Sequence, residues 1–297
     1  MRSLITFLAI ATAGCSDGRT DRNPADTGAD ATTHRATTDV GVMERDRLIE
    51  QAGVTFDLAF FFKPADETTP EELHPLCPLI VVETPASDGA DKLSLTPARI
   101  ERGDSGHWIA YPSRPTVYYL DQTMRTGERT HRRLTFVWWQ GGTPPRETGE
   151  SRWRGFRMTL DAEGFPALWQ VIDPTTPIDV WLVSNTLEAS AARQFGSVLP
   201  GRSFAVERAT DETPDSMVIR ALADGPIPMG PFVYLSHPDA RITTLICRCM
   251  PSQVRDFSES GYYELLPMED LCEAVTPADS RQDLRELGLF EELCSAA

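Results

Sequence analysis

Lysine is almost missing from this chain. Of 28 basic residues only Lys63 and Lys92 are lysine, and the rest are arginine. GC-rich coding accounts for such a bias. Its physical consequence is that the positive groups stay charged at any relevant pH. Long apolar runs are missing as well. No segment reaches the roughly 18 apolar residues that a membrane-spanning helix requires. The run nearest the start, Leu4 to Ala11, is too short to span. No internal repeat of fixed period is present. Positive charge is scarce overall, and the formal balance is −16. So acidic a surface repels nucleic acid and anionic headgroups, which argues against DNA binding. What remains is ordinary: 41% hydrophobic and 24% charged residues in 297, enough for one large core or two small ones.

The N-terminus carries a motif. Met1-Arg2-Ser3 is a short basic start, and Leu4 to Ala11 suits the apolar core of a signal peptide. Thr12-Ala13-Gly14-Cys15 then leads small residues into a cysteine. These first 15 residues resemble the lipobox region of bacterial lipoproteins, with Thr12 where that family usually has leucine. The resemblance implies cleavage between Gly14 and Cys15, diacylglycerol on the Cys15 sulfur, and a fatty acyl group such as palmitate on its amine. Several acyl chains anchor firmly, because each buried methylene contributes about 0.8 kcal/mol. It also implies export and a membrane anchor in the cell envelope, on the periplasmic or outer-membrane side. Ser16 follows the cysteine, where enteric bacteria use aspartate to retain lipoproteins in the inner membrane.

Residues 16–40 are rich in Asp, Thr, Ala, Gly and Arg and hold no aromatic residue. They bury too little to offset the entropy of ordering and read as a disordered spacer. The organisation expected is a signal peptide over 1–14, a lipidated disordered tether over 15–42, and one globular domain over 43–297.

Along that domain, hydrophobic periodicity predicts a short helix over 43–51 and strands over 56–62, 79–82 and 107–111. Two hairpins follow, 116–120 with 133–139 around a turn at 125–128, and 155–160 with 167–172. Strands are also expected at 180–183, 204–207, 217–221, 232–235 and from Thr243 into the Cys247-Arg248-Cys249 motif. Thr186 to Phe195 reads as a helix closed by Gly196. Pro267 to Cys272 and a helix capped by Ser280 end the chain. The fold class expected is α+β: a mainly antiparallel sheet, a few helices, a disordered N-terminal tether and C-terminal helices.

Setting Cys15 aside leaves Cys77, Cys247, Cys249, Cys272 and Cys294. An exported compartment permits disulfides, and the odd count leaves at least one thiol free, metal-bound or paired between molecules. A Cys272–Cys294 bridge would close a loop of about 21 residues and stabilise by roughly 3 kcal/mol in the chain-entropy picture. The alternative is two small buried hydrophobes. On a strand, Cys247 and Cys249 share one face and Arg248 takes the other. With His74 and Cys77 they would form a Cys₃His set suited to Zn²⁺ or, with Met250, to Cu⁺. A Cys77 disulfide to one of the pair, or plain core cysteines, are the competing readings.

Residues 125–157 hold eight arginines against three glutamates, interleaved with Trp138, Trp139 and Trp153. Arginine forks grip carboxylate, sulfate or phosphate, and exposed aromatics stack on sugars. Arg133, Trp139, Arg152 and Trp153 are therefore candidate contacts for an anionic envelope glycan. Against this stands a hairpin whose aromatics face the core and whose arginines pair with acidic neighbours. Gly103-Asp104-Ser105-Gly106 resembles the nucleophile loop of chymotrypsin-like serine proteases. His107 stands where that family has glycine, and no base is marked upstream, so no catalytic residue is assigned. The function expected is a lipid-anchored binding or structural module of the envelope, partnered by an anionic glycan or another envelope protein. A Zn- or Cu-binding envelope protein is the alternative.

Overall fold

A computed structural model describes residues 44–84, 95–102, 108–126, 129–141, 153–174, 176, 178–210 and 216–270. The expected lipidation site Cys15, the tether, Ser105, His107, Arg152, the Cys272–Cys294 pair and the helix after Ser280 lie outside those residues.

Among the described residues, thirteen strands make one sheet. They are β1 (Phe56–Pro64), β2 (Leu79–Glu83), β3 (Pro97–Arg102), β4 (Trp108–Tyr111), β5 (Thr116–Thr126), β6 (Arg129–Gln140) and β7 (Trp153–Leu160). The rest are β8 (Pro166–Ile172), β9 (Asp179–Ser184), β10 (Ser216–Leu222), β11 (Pro231–Ser236), β12 (Arg241–Cys247) and β13 (Val254–Pro267). The main path runs β10-β9-β8-β7-β6-β5-β13-β1-β2-β11-β12, with the β3–β4 hairpin branching from β6. Most pairings are antiparallel, and β1–β13, β13–β5, β2–β11 and β9–β10 are parallel. The molecule is thus α+β around a mainly antiparallel sheet. Two helices lie among the described residues, α1 over 44–52 and α2 over Asn185–Phe195.

The sheet curls on itself. One core cluster draws on every strand of the main path, from Met217 and Ile219 on β10 through Leu134, Trp138 and Phe60 to Leu245 on β12. The two edge strands approach there, and Arg220 on β10 donates to Thr244 Oγ1 on β12 at 3.0 Å. Alternation decides which side chains go inside: Phe60 and Phe62 enter this core, while Ala59 and Phe61 pack on the outer face. Side chains of β3 and β4 cover the outside of β5–β7, where Ile100 and Ala110 meet Tyr118, Val137 and Trp139. Helix α2 covers the outside of β8–β10 through Ala191 and Leu187.

Both ends of α2 follow from their residues. Ser184 is extended and its Oγ accepts from Leu187 N at 3.1 Å. Gly196 closes the helix at φ 76°, donating to Ala192 O, a conformation that favours glycine. Ser184→Ala is expected to lower stability by about 1 kcal/mol, read as a lower urea midpoint at unchanged slope.

Three expectations change. Phe204–Glu207 is not a strand but enters a 3₁₀ segment, Ala205–Thr210. The Glu188 carboxylate accepts from Ala205 N and Val206 N, and Glu207 accepts from Ser203 N and Phe204 N. Those donors are therefore not offered to a neighbouring strand. Pro267 closes β13 rather than opening a helix, and a helical turn begins at 269. Strand β12 stops at Cys247, so Cys249 does not continue it.

Candidate functional site

Helix α1 sits over the core. Ala52 enters it, and Leu48 and Ile49 pack against it. Arg45 fastens this helix: its two terminal nitrogens meet the Glu207 carboxylate at 2.7 and 3.0 Å, with both side chains almost fully buried. Glu207 also accepts from Val218 N at 3.2 Å. Burial by itself raises the carboxyl, but the Arg45 hydrogen bonds and charge and the backbone donors outweigh it and hold Glu207 below the usual carboxylate range.

Beside α1 opens a cleft of about 290 Å³. Leu48, Ile178, Val180, Ile219 and Ile242 give it apolar walls, and Asp173, Thr176, His237, Asp239 and Arg241 give it polar ones. The β8–β9 and β11–β12 connections and the first residue of β12 supply those polar groups. Asp173 lies between two guanidiniums, Arg154 Nε at 3.3 Å and Arg241 Nε at 3.9 Å. Arg241 donates to Thr176 Oγ1 at 3.0 Å while its side chain stays 39% exposed. Of the charged residues that line the cleft, Arg241 is basic and Glu83, Asp173 and Asp239 are acidic.

The β11–β12 turn is built tightly. Ala240, fully buried, takes φ 48°, a region non-glycine residues seldom occupy. Gln140 Nε2 holds it by donating to the Asp239 and Ala240 carbonyls at 3.1 and 3.4 Å. Glu83 adds an acceptor for His237 N at 2.9 Å. The turn thus spends conformational strain to present His237, Asp239 and Arg241 to the cleft, a pattern associated with ligand-binding positions. Nothing in the periodicity of the sequence marks these residues. The polar connections Asp173–Thr176 and His237–Arg241 read there only as loops.

The expected metal ligands are not assembled. Cys247 and Cys249 are joined as a disulfide, with Cα atoms 5.2 Å apart. An extended strand would set those Cα atoms roughly 6.6 Å apart; the turn at 248–250 draws them together. Cys77 is fully buried at the end of the 3₁₀ turn His74–Leu76, two strands away across β11. Burial pushes its thiol up to about 12, against the opposing hydrogen bond with Tyr263 and the charge of Arg248. A thiol so far from ionisation is a packing group rather than a ligand. His74 faces outward, with Nε2 2.9 Å from Asp66. Among the described residues no three His, Cys, Asp or Glu side chains gather as a metal set.

The arginine–tryptophan segment is built into the sheet. Trp139 is 6% and Trp153 1% exposed, and they share a cluster with Tyr118, whose ring meets Trp139 edge-on. Arg133 is buried and donates to Gln122 Oε1 at 2.8 Å. Arg132 forks onto Asp121, and Arg157 donates to Gln170. The expected stacking platform at Arg133, Trp139 and Trp153 is therefore buried packing and cross-strand pairing, because β3 and β4 cover the outer face on which those rings lie.

Comparison with family models, with curated proteins and with solved structures finds no match to this chain.

Proposed function

We propose that this protein is a lipid-anchored envelope protein whose folded part binds a small amphipathic anion in the cleft beside α1. The observation that carries the binding reading is the cleft itself: an exposed guanidinium, Arg241, standing over apolar walls from Leu48, Ile178, Ile219 and Ile242. A carboxylate or phosphate on Arg241 forms charge-assisted hydrogen bonds, while the apolar body of the ligand leaves water against the isoleucines. The anchor rests on the Ala13-Gly14-Cys15 motif and keeps the cleft in the exported compartment.

The tests are separate. Mass spectrometry of the native protein is expected to find the chain starting at Cys15 with lipid attached; an intact Met1 removes the anchor. Binding is tested by calorimetry with a panel of medium-chain carboxylates and alkyl phosphates. Arg241→Ala is expected to weaken the best of them by about tenfold or more, the worth of a hydrogen bond to a charged group. Equal affinity in the variant overturns the cleft reading. A Zn²⁺ or Cu⁺ site would require a reduced Cys247–Cys249 pair and a further ligand brought to it. Stoichiometric metal in protein purified without affinity resin is the result that would favour it.

A further inference from the structure

We infer that the Cys247–Cys249 disulfide is a redox site, taking electrons from thiols by thiol–disulfide exchange with Cys249 as the sulfur attacked. Three features of its surroundings carry this. First, the two sulfurs differ in access: Cys247 ends β12 and is 7% exposed, whereas Cys249 lies on the following turn and is exposed. Exchange requires in-line approach of a thiolate to one sulfur, and only one offers it. Second, the inner sulfur is prepared to leave. The backbone N–H of Cys249 donates to Cys247 Sγ at 3.2 Å, so negative charge arriving there meets a donor already in place. Met229 Sδ lies 3.9 Å from the same sulfur, filling its inner side with a soft, polarisable atom.

Third, the frame beneath the turn is rigid. Arg248 does not face the disulfide but reaches back, donating to Gly230 O at 2.9 Å and to Pro75 O. Gly230 seats against that same segment so closely that a Cβ on it would lie 2.2 Å from Leu76 O. The turn is therefore held while the disulfide opens and closes. Ile227 and Met250, 57% and 49% exposed, flank the pair with apolar surface.

The chemistry balances without a cofactor. A donor thiolate attacks Cys249 Sγ; the S–S bond breaks and its electron pair goes to Cys247 Sγ, which takes a proton from solvent. A second donor thiolate attacks the donor sulfur of the mixed disulfide, releasing Cys249 as a thiolate that is then protonated. Two donor thiols become one disulfide, and the protein disulfide becomes two thiols.

The test uses full-length native protein. Wild type is incubated with excess dithiothreitol without denaturant, alkylated, and peptide-mapped. Cys247 and Cys249 are expected to become alkylated together, with Cys77 labelled only after denaturation. A pair that resists the dithiol until the protein unfolds is a structural disulfide and overturns the inference; so does a pair isolated as two thiols from air-purified protein. Single variants then test the direction of attack. Cys247→Ser treated with glutathione disulfide is expected to carry a glutathionyl adduct at Cys249, and Cys249→Ser none at Cys247. Equal labelling of both, or of neither, overturns the assignment of Cys249. Circular dichroism of each variant at native intensity certifies that the fold is retained, and the wild-type arm stands whether or not the variants fold.

Discussion

Glu207→Ala is expected to remove about 3–5 kcal/mol of stability, because it leaves the Arg45 guanidinium buried without its partner. Both side chains sit at 5% exposure or less, so water does not replace the lost contact. The backbone donors of Ser203, Phe204 and Val218 lose their acceptor in the same substitution. Glu207→Gln, which keeps an acceptor oxygen, is expected to cost less. Equilibrium urea denaturation measures both as shifts in midpoint. A Glu207→Ala midpoint equal to wild type would mean that α1 is not docked through this pair. The same carboxylate sets a pH dependence. Its folded pKa is depressed, so its contribution is fully present above the unfolded carboxylate value of about 4.3 and is lost as pH falls through the lower folded value. The Glu207→Gln variant is expected to show a flatter loss of stability below that point than wild type.

Trp138→Ala is expected to cost about 3–5 kcal/mol, the range for emptying a large aromatic site. Trp138 is completely buried in the core shared by all strands of the main path. Its removal opens a void that β-sheet walls on several sides cannot collapse to fill. Trp138→Phe is expected to cost distinctly less. The indole N–H has no hydrogen-bond partner among the described residues, and phenylalanine removes that buried donor while keeping most of the ring. The measurement is again the urea midpoint. A Trp138→Ala protein as stable as wild type would show that the ring does not lie between the curled faces of the sheet.

Most strands of the middle of the chain are legible from alternation. Alternation predicts the β5–β6 and β7–β8 hairpins, and each strand extends past the apolar stretch that signals it, β8 by one residue only. The Ser184 and Gly196 ends of α2 are equally local. Strand β13 is different. Its first half is exposed at nearly every position, so it lacks the periodic burial that marks a strand. It is held by backbone ladders to β1 and β5, parallel to both, which no local pattern encodes. The short β3 fails for a similar reason: three of its six residues are charged, and its outward positions conceal its pairing with β4. The segment at 204–207 is no strand because the Glu188 carboxylate, from helix α2, and the segment's own Glu207 accept from its N–H groups.

The chain alone settles what depends on neighbours in sequence: the acidic balance, the alternation of the hairpins, the helix ends, the cysteine motif. Tertiary structure alone decides what depends on residues far apart. It brings Arg45 to Glu207 and Asp173 to Arg241, and it covers Trp139 and Trp153 with β3 and β4. It also ends β12 at Cys247, so that the next cysteine folds back instead of continuing the strand. The division follows from range: periodicity and capping act over a few residues, whereas burial and ion pairing are set by whichever surfaces the curled sheet brings face to face.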